Sequence, residues 1–210
     1  MLGSITPLGE RGHARRWSRT MSLYLLGSVV GGALAGGLAG LLGVLLLDLG
    51  LGALGVELGA TAVLVVLGLL TLLGVALDLR LGGARLPTVH RQVNEDWLSR
   101  YRGWVIGTGF GVQLGLGVVT IVTTATVYLT LAAALLSSSV PAGLTLGAVF
   151  GAARALPLLA ARRVSTPARL REQHLRLARW EPLAHATALG AQVAAVVLIT
   201  VTAVALGGAA

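Results

Sequence analysis

Apolar residues fall in long uncharged runs, from Thr20 to Leu47, Leu58 to Leu77, Gly103 to Ala153 and Pro182 to Ala210. Each run meets the roughly 20 residues needed to cross ~30 Å of hydrocarbon. Between them lie short polar segments of two kinds. Arg11, Arg15, Arg16 and Arg19 precede the first run, Arg80, Arg85, Arg91, Arg100 and Arg102 lie in 79–103, and six more arginines lie in 162–179. Segments 48–57 and 137–141 carry only Asp48 and Glu57. The positive-inside rule puts the basic segments in the cytoplasm and the other two outside, which requires an even number of crossings between basic segments.

The pattern therefore predicts an all-α, polytopic membrane bundle of about five transmembrane helices (four to six), with a cytoplasmic N-terminus. The helices are expected near 21–47, 57–78, 104–136, 142–161 and 183–207, forming a single transmembrane domain over 21–207 behind a basic segment 1–20. That segment precedes an apolar stretch too long for a signal peptide, so it reads as the flank of a retained first helix. Trp17, Trp97, Trp104 and Trp180, with Tyr24 and Tyr101, all fall at the same expected interface, where amphipathic rings are favoured.

The third crossing does not fit a single straight helix. Its roughly 33 residues would make about 50 Å of helix against ~30 Å of hydrocarbon, so it must tilt, bend or break. The place for a break is the stretch from Gly115 to Thr124, where glycines give way to β-branched residues. Irregular backbone there would need cover from protein or water, and a re-entrant segment is the alternative. A weak repeat, Tyr24-Leu-Leu-Gly-Ser-Val-Val-Gly against Trp104-Val-Ile-Gly-Thr-Gly-Phe-Gly, suggests parallel units of two crossings; glycine-rich bias is the other explanation.

The polar segments have structure of their own. Val89, Val93, Trp97 and Tyr101 recur every four residues, which predicts an amphipathic helix over 88–102 lying on the membrane. A second is expected over 165–181, with Leu170, Leu177 and Trp180 towards lipid and Arg169, Arg171, Arg176 and Arg179 at headgroups. Anionic lipid at the cytoplasmic face is the expected partner, together with a second copy or a membrane partner subunit.

Composition adds few constraints. Residues are 55% hydrophobic and 11% charged, and the net charge of +8 comes from sixteen basic residues, all arginine. Every arginine but Arg154 flanks a hydrophobic run, so topology accounts for the charge and nucleic acid is not an expected partner. No cysteine is present, which excludes disulfides, thiolate metal sites and thiol nucleophiles on this chain. His13, His90, His174 and His185 are scattered, no pair has metal-ligand spacing, and no catalytic residue, cofactor or enzymatic activity is expected.

Three features carry the candidate sites. Glycines at four-residue spacing, Gly32, Gly36 and Gly40 in the first helix and Gly107, Gly111 and Gly115 in the third, form grooves like those of a glycine zipper; helix packing is the expected role. Arg154 lies inside the fourth helix, where arginine must snorkel or find polar partners, and Gln113 is the best-placed candidate. Pro157 follows by three residues and can bend that helix. Thr120, Thr123 and Thr124, with Thr126 and Thr130, either bond back to their own helix or, with Gln113 and Arg154, line a pathway for a solute.

Gly107-Thr-Gly-Phe-Gly-Val-Gln-Leu-Gly-Leu-Gly-Val-Val-Thr and the threonines after it resemble the glycine-rich helix of the cytochrome c biogenesis transmembrane family, the DsbD type. The resemblance covers about 30 residues and implies a helix broken at mid-membrane in a scaffold that carries electrons between thiols. That family uses a cysteine in each of two broken helices; this chain has neither cysteine, so no redox residue carries over. The resulting expectations are a non-enzymatic protein of the bacterial inner membrane that moves or gates a small solute, a membrane assembly or accessory subunit, or a cysteine-less relative of the thiol electron carriers.

Overall fold

The computed structural model describes residues 17–56, 58–83, 86, 103–118, 122 and 124–207, and all the regular structure among them is helical. The elements are α1 (Trp17–Gly43), α2 (Ala60–Asp78), α3 (Gly103–Leu116), α4 (Thr126–Leu136), α5 (Val140–Ala155) and α6 (Pro167–Gly207). Helix α1 continues into a π-helical stretch, Val44–Leu51, and α5 into a 3₁₀ stretch, Leu156–Arg163. Four of these helical stretches, Trp17–Leu51, Ala60–Asp78, Val140–Arg162 and Pro167–Gly207, are long and apolar enough to cross a bilayer, while α3 and α4 together make one interrupted crossing.

Contacts between helices give their directions. On α1, Thr20, Tyr24 and Ser28 meet Gly107, Gly111 and Gly115 in ascending order, so α1 and α3 run parallel. Ser28, Gly32 and Gly36 meet Gly151, Gly147 and Gly143, so α1 and α5 run antiparallel. Helix α2 is antiparallel to α6, with Gly68 near Ile199 and Asp78 bonded to Gln192, and antiparallel to α4, with Gly74 near Leu129. Successive crossings therefore alternate in direction.

At the middle of the bundle three backbones touch at Ser28. Cβ atoms built on Gly115 and Gly151 would both overlap the Ser28 carbonyl oxygen, while the Ser28 hydroxyl, itself fully buried, donates to the Gly151 carbonyl at 2.7 Å. Inside lipid no hydrophobic drive separates one apolar surface from another, so close van der Waals approach and such hydrogen bonds hold helices together. The large apolar side chains point the other way: Leu26, Val30, Leu34 and Leu38 of α1 and Val197, Leu198, Val201 and Val204 of α6 are exposed. Lipid is the solvent that suits such a surface.

The third crossing stops at Gly117, whose φ of +76° suits a residue without a Cβ and ends the helix in a tight turn, with Gly117 N–H donating to the Leu114 carbonyl at 3.1 Å. Val118, the β-branched residue that follows, loses side-chain freedom in a helix. Helix α5 starts at Ser139, whose Oγ accepts from Ala142 N–H at 3.4 Å, with Pro141 in the first turn. It leaves α-geometry at Leu156, where Pro157 lacks the N–H that would continue it.

One expectation about the polar segments changes. Residues 167–181 are not a separate surface helix: α6 is continuous for 41 residues through Pro182. The missing proline N–H removes one bond, and the intact turns on either side keep the helix going. The amphipathic stretch expected at 88–102 lies outside the described residues.

Candidate functional site

Breaking a helix inside the bundle exposes carbonyls at one end and N–H groups at the other, and water is not there to meet them. Both ends are met by side chains from other helices. At the C-terminus of α3, Arg154 of α5 donates through Nη1 to the carbonyls of Leu114 and Gly117 at 3.2 and 3.3 Å. Its guanidinium also lies over the Phe150 ring, 5.5 Å from the centroid. At the N-terminus of α4, Ala125 offers no side-chain cap, and its N–H donates instead to Asp78 of α2, at 2.8 Å to Oδ1 and 3.1 Å to Oδ2.

The charges match the helix dipoles. A cation sits at the negative C-terminal end of α3 and a carboxylate at the positive N-terminal end of α4, each an arrangement worth roughly 0.3–2 kcal/mol. Gln192 of α6 completes the second cap: its Nε2 donates to Asp78 Oδ2 at 2.7 Å and to Thr126 Oγ1 at 3.2 Å. Asp78 is 6% exposed and Gln192 4% exposed, so both have left solvent. Gln192 Oε1 is buried with no hydrogen-bond partner among the described residues.

The expected site residues divide accordingly. Arg154 is at the break, but its bonds to Leu114 and Gly117 go to backbone oxygens and not to Gln113, which is half-buried within α3. Thr124 occupies the bend before α4, and Thr120 and Thr123 lie outside the described residues. Thr126 receives Gln192, while Thr130 bonds back to the Thr126 carbonyl at 2.8 Å. A Cβ on Gly107 would approach the Thr20 carbonyl, and on Gly111 the Tyr24 carbonyl. One on Gly40 would approach the Ser139 carbonyl.

Asp78, Gln192 and Ser28 were not singled out by the sequence. Two of them carried a signal: Asp78 is a carboxylate closing an otherwise apolar run, and Gln192 is the one amide in the last. Their pairing across 114 residues had none. Among the described residues no three His, Cys, Asp or Glu side chains converge as a metal site would require.

No family model matches the chain, and no solved structure does. It is similar to methylamine utilization protein MauF of Methylorubrum extorquens, 38% identical over 145 residues that are 68% of this chain and 47% of that one. The corresponding protein of Paracoccus versutus is 34% identical over 145 residues, 68% of this chain and 49% of its own. That of Methylophilus methylotrophus is 33% identical over 163 residues, 75% and 53%. The chain thus spans about half the length of the curated relatives it matches. These relatives overturn the resemblance to the DsbD-type family, which rested on a short glycine-rich run of a kind that close helix packing also produces. They equally replace the reading as a protein that moves or gates a solute, and the Arg154 on which that reading leaned is bonded to a helix end. The similarity found is to methylamine utilization proteins.

Proposed function

We propose that this chain is a non-enzymatic membrane assembly or accessory subunit serving methylamine utilization. The observation that carries this reading is identity of 33–38% to three proteins of that name over two thirds or more of the chain. The buried polar groups support it, because Arg154, Asp78 and Gln192 maintain a helix break and so shape the bundle itself. In this reading the protein sits in a bacterial plasma membrane with its basic segments in the cytoplasm, Arg169, Arg171, Arg176 and Arg179 near anionic headgroups, and its outer helix faces open to partner helices or a second copy.

The test is an in-frame deletion in the source organism, followed by growth on methylamine and on a substrate that bypasses it. A defect confined to methylamine, restored by the gene supplied in trans, is expected. Unimpaired growth on methylamine would overturn the reading.

A further inference from the structure

Because α1 and α3 run parallel, their described N-terminal ends lie side by side. Gly107 lets them close up: a Cβ there would lie 2.7 Å from the Thr20 carbonyl oxygen and 3.4 Å from Leu23 Cβ. One turn earlier on α3, Trp104 joins Arg19, Ser22 and Leu23 of α1 in lining an open groove of about 440 Å³. Arg19 is exposed and makes no ion pair or hydrogen bond among the described residues, and neither helix carries an acidic residue in its first described turn. The groove therefore holds a positive charge that nothing described on the chain answers.

Its position narrows the ligand. Arg19 immediately precedes the apolar run of α1, and Trp104 stands at the start of the run of α3, so the groove lies where hydrocarbon begins. From Arg19, the residues Leu23, Leu26, Val30 and Leu34 follow at intervals of three or four along one face, and the last three are exposed. A cation, a hydroxyl and an indole thus stand at the head of an apolar row open to lipid. That pattern fits a molecule with an anionic head and an apolar tail, and a single arginine matches the single negative charge of a phosphodiester. We propose that Arg19, Ser22 and Trp104 bind the phosphodiester headgroup of one anionic phospholipid, with an acyl chain laid along Leu23, Leu26 and Val30. Unlike the general attraction of the arginines of α6 to a charged membrane surface, this is a discrete, saturable site, and it does not depend on the accessory role proposed above.

The full-length protein, immobilised in neutral detergent, is incubated with phosphatidylglycerol and phosphatidylcholine of identical acyl chains. It is then washed with or without inorganic phosphate at fixed ionic strength, and the lipid held per chain is counted by mass spectrometry. Saturable retention of phosphatidylglycerol over phosphatidylcholine is expected, unaffected by inorganic phosphate. Arg19→Gln should raise the phosphatidylglycerol concentration for half-saturation about five- to tenfold, Arg19→Lys should recover part of that loss, and Arg179→Gln should change nothing. Equal retention of the two lipids by the wild-type protein would overturn the site, as would undiminished retention in a folded Arg19→Gln variant. Displacement of the lipid by inorganic phosphate would overturn the lipid assignment and leave the groove to free anions.

Discussion

The trio α1, α3 and α5 and the pair α2 and α6 solve one problem, association inside lipid, in opposite ways. In the trio the contact surface is backbone. A Cβ built on Gly32 would overlap the Gly147 carbonyl and one on Gly147 the Gly32 carbonyl, and Gly36 and Gly143 repeat the reciprocal arrangement one turn along. In the pair, glycine contributes little: a Cβ on Gly68 would make an ordinary contact with Ile199 at 3.4 Å, and Gly190 has open space around it. What sets the pair's contact with α4 apart is polar, through Asp78 and Gln192, beside the packing of Gly74 on Leu129. The trio depends on shape and should resist changes in charge or solvent, whereas the pair's attachment to α4 also draws on a few hydrogen bonds.

The sharpest way to break this contrast is to add volume to the trio. Gly147→Leu should cost more than about 3 kcal/mol and abolish a monodisperse folded species in detergent, because backbone cannot move aside as a flexible side chain can. A folded Gly147→Leu protein with unchanged melting temperature would show that the trio is not packed on its backbones.

The two caps come next. Asp78→Leu leaves the Ala125 N–H and the Gln192 amide without their acceptor and should cost about 2–3 kcal/mol; Arg154→Leu releases carbonyls beside a half-buried position and should cost about 1 kcal/mol. Both should increase thiol labelling of a Thr124→Cys reporter at the break, which the absence of other cysteines makes a clean readout. Lost stability without increased labelling would mean that these side chains do not hold the break.

The smallest effect sharpens the comparison from the other side. Gly190→Ala in α6 meets nothing within 4 Å and should be neutral or stabilising by up to about 1 kcal/mol in a thermal melt, since alanine is the better helix former. Substantial destabilisation there would reveal a contact surface on α6 that the chain makes with another molecule.

Much of the architecture was legible in the residues. A break after Gly115 could be anticipated because the length of the third crossing, glycine's freedom and the stiffness of Val118 and its neighbours are all local properties. Arg154 could be flagged because charge in an apolar run is expensive wherever it goes. Its partner could not be read in the same way: Gln113 is the nearest polar side chain by depth, yet the carbonyls freed by the break are stronger claimants, and they exist only once the helix has ended.

The sequence by itself determined the solvent, the all-helical class, the approximate number of crossings and the place where one of them fails, since run length, charge and backbone preference act over a few turns of chain. Only the tertiary structure decided that α3 lies parallel to α1 while α5 opposes it, that α6 runs unbroken past Pro182, and that Asp78 and Gln192 meet at the start of α4. Those outcomes depend on which helices approach closely and at what register, and a single turn's shift of α6 along α2 would part Asp78 from Gln192 without changing a residue.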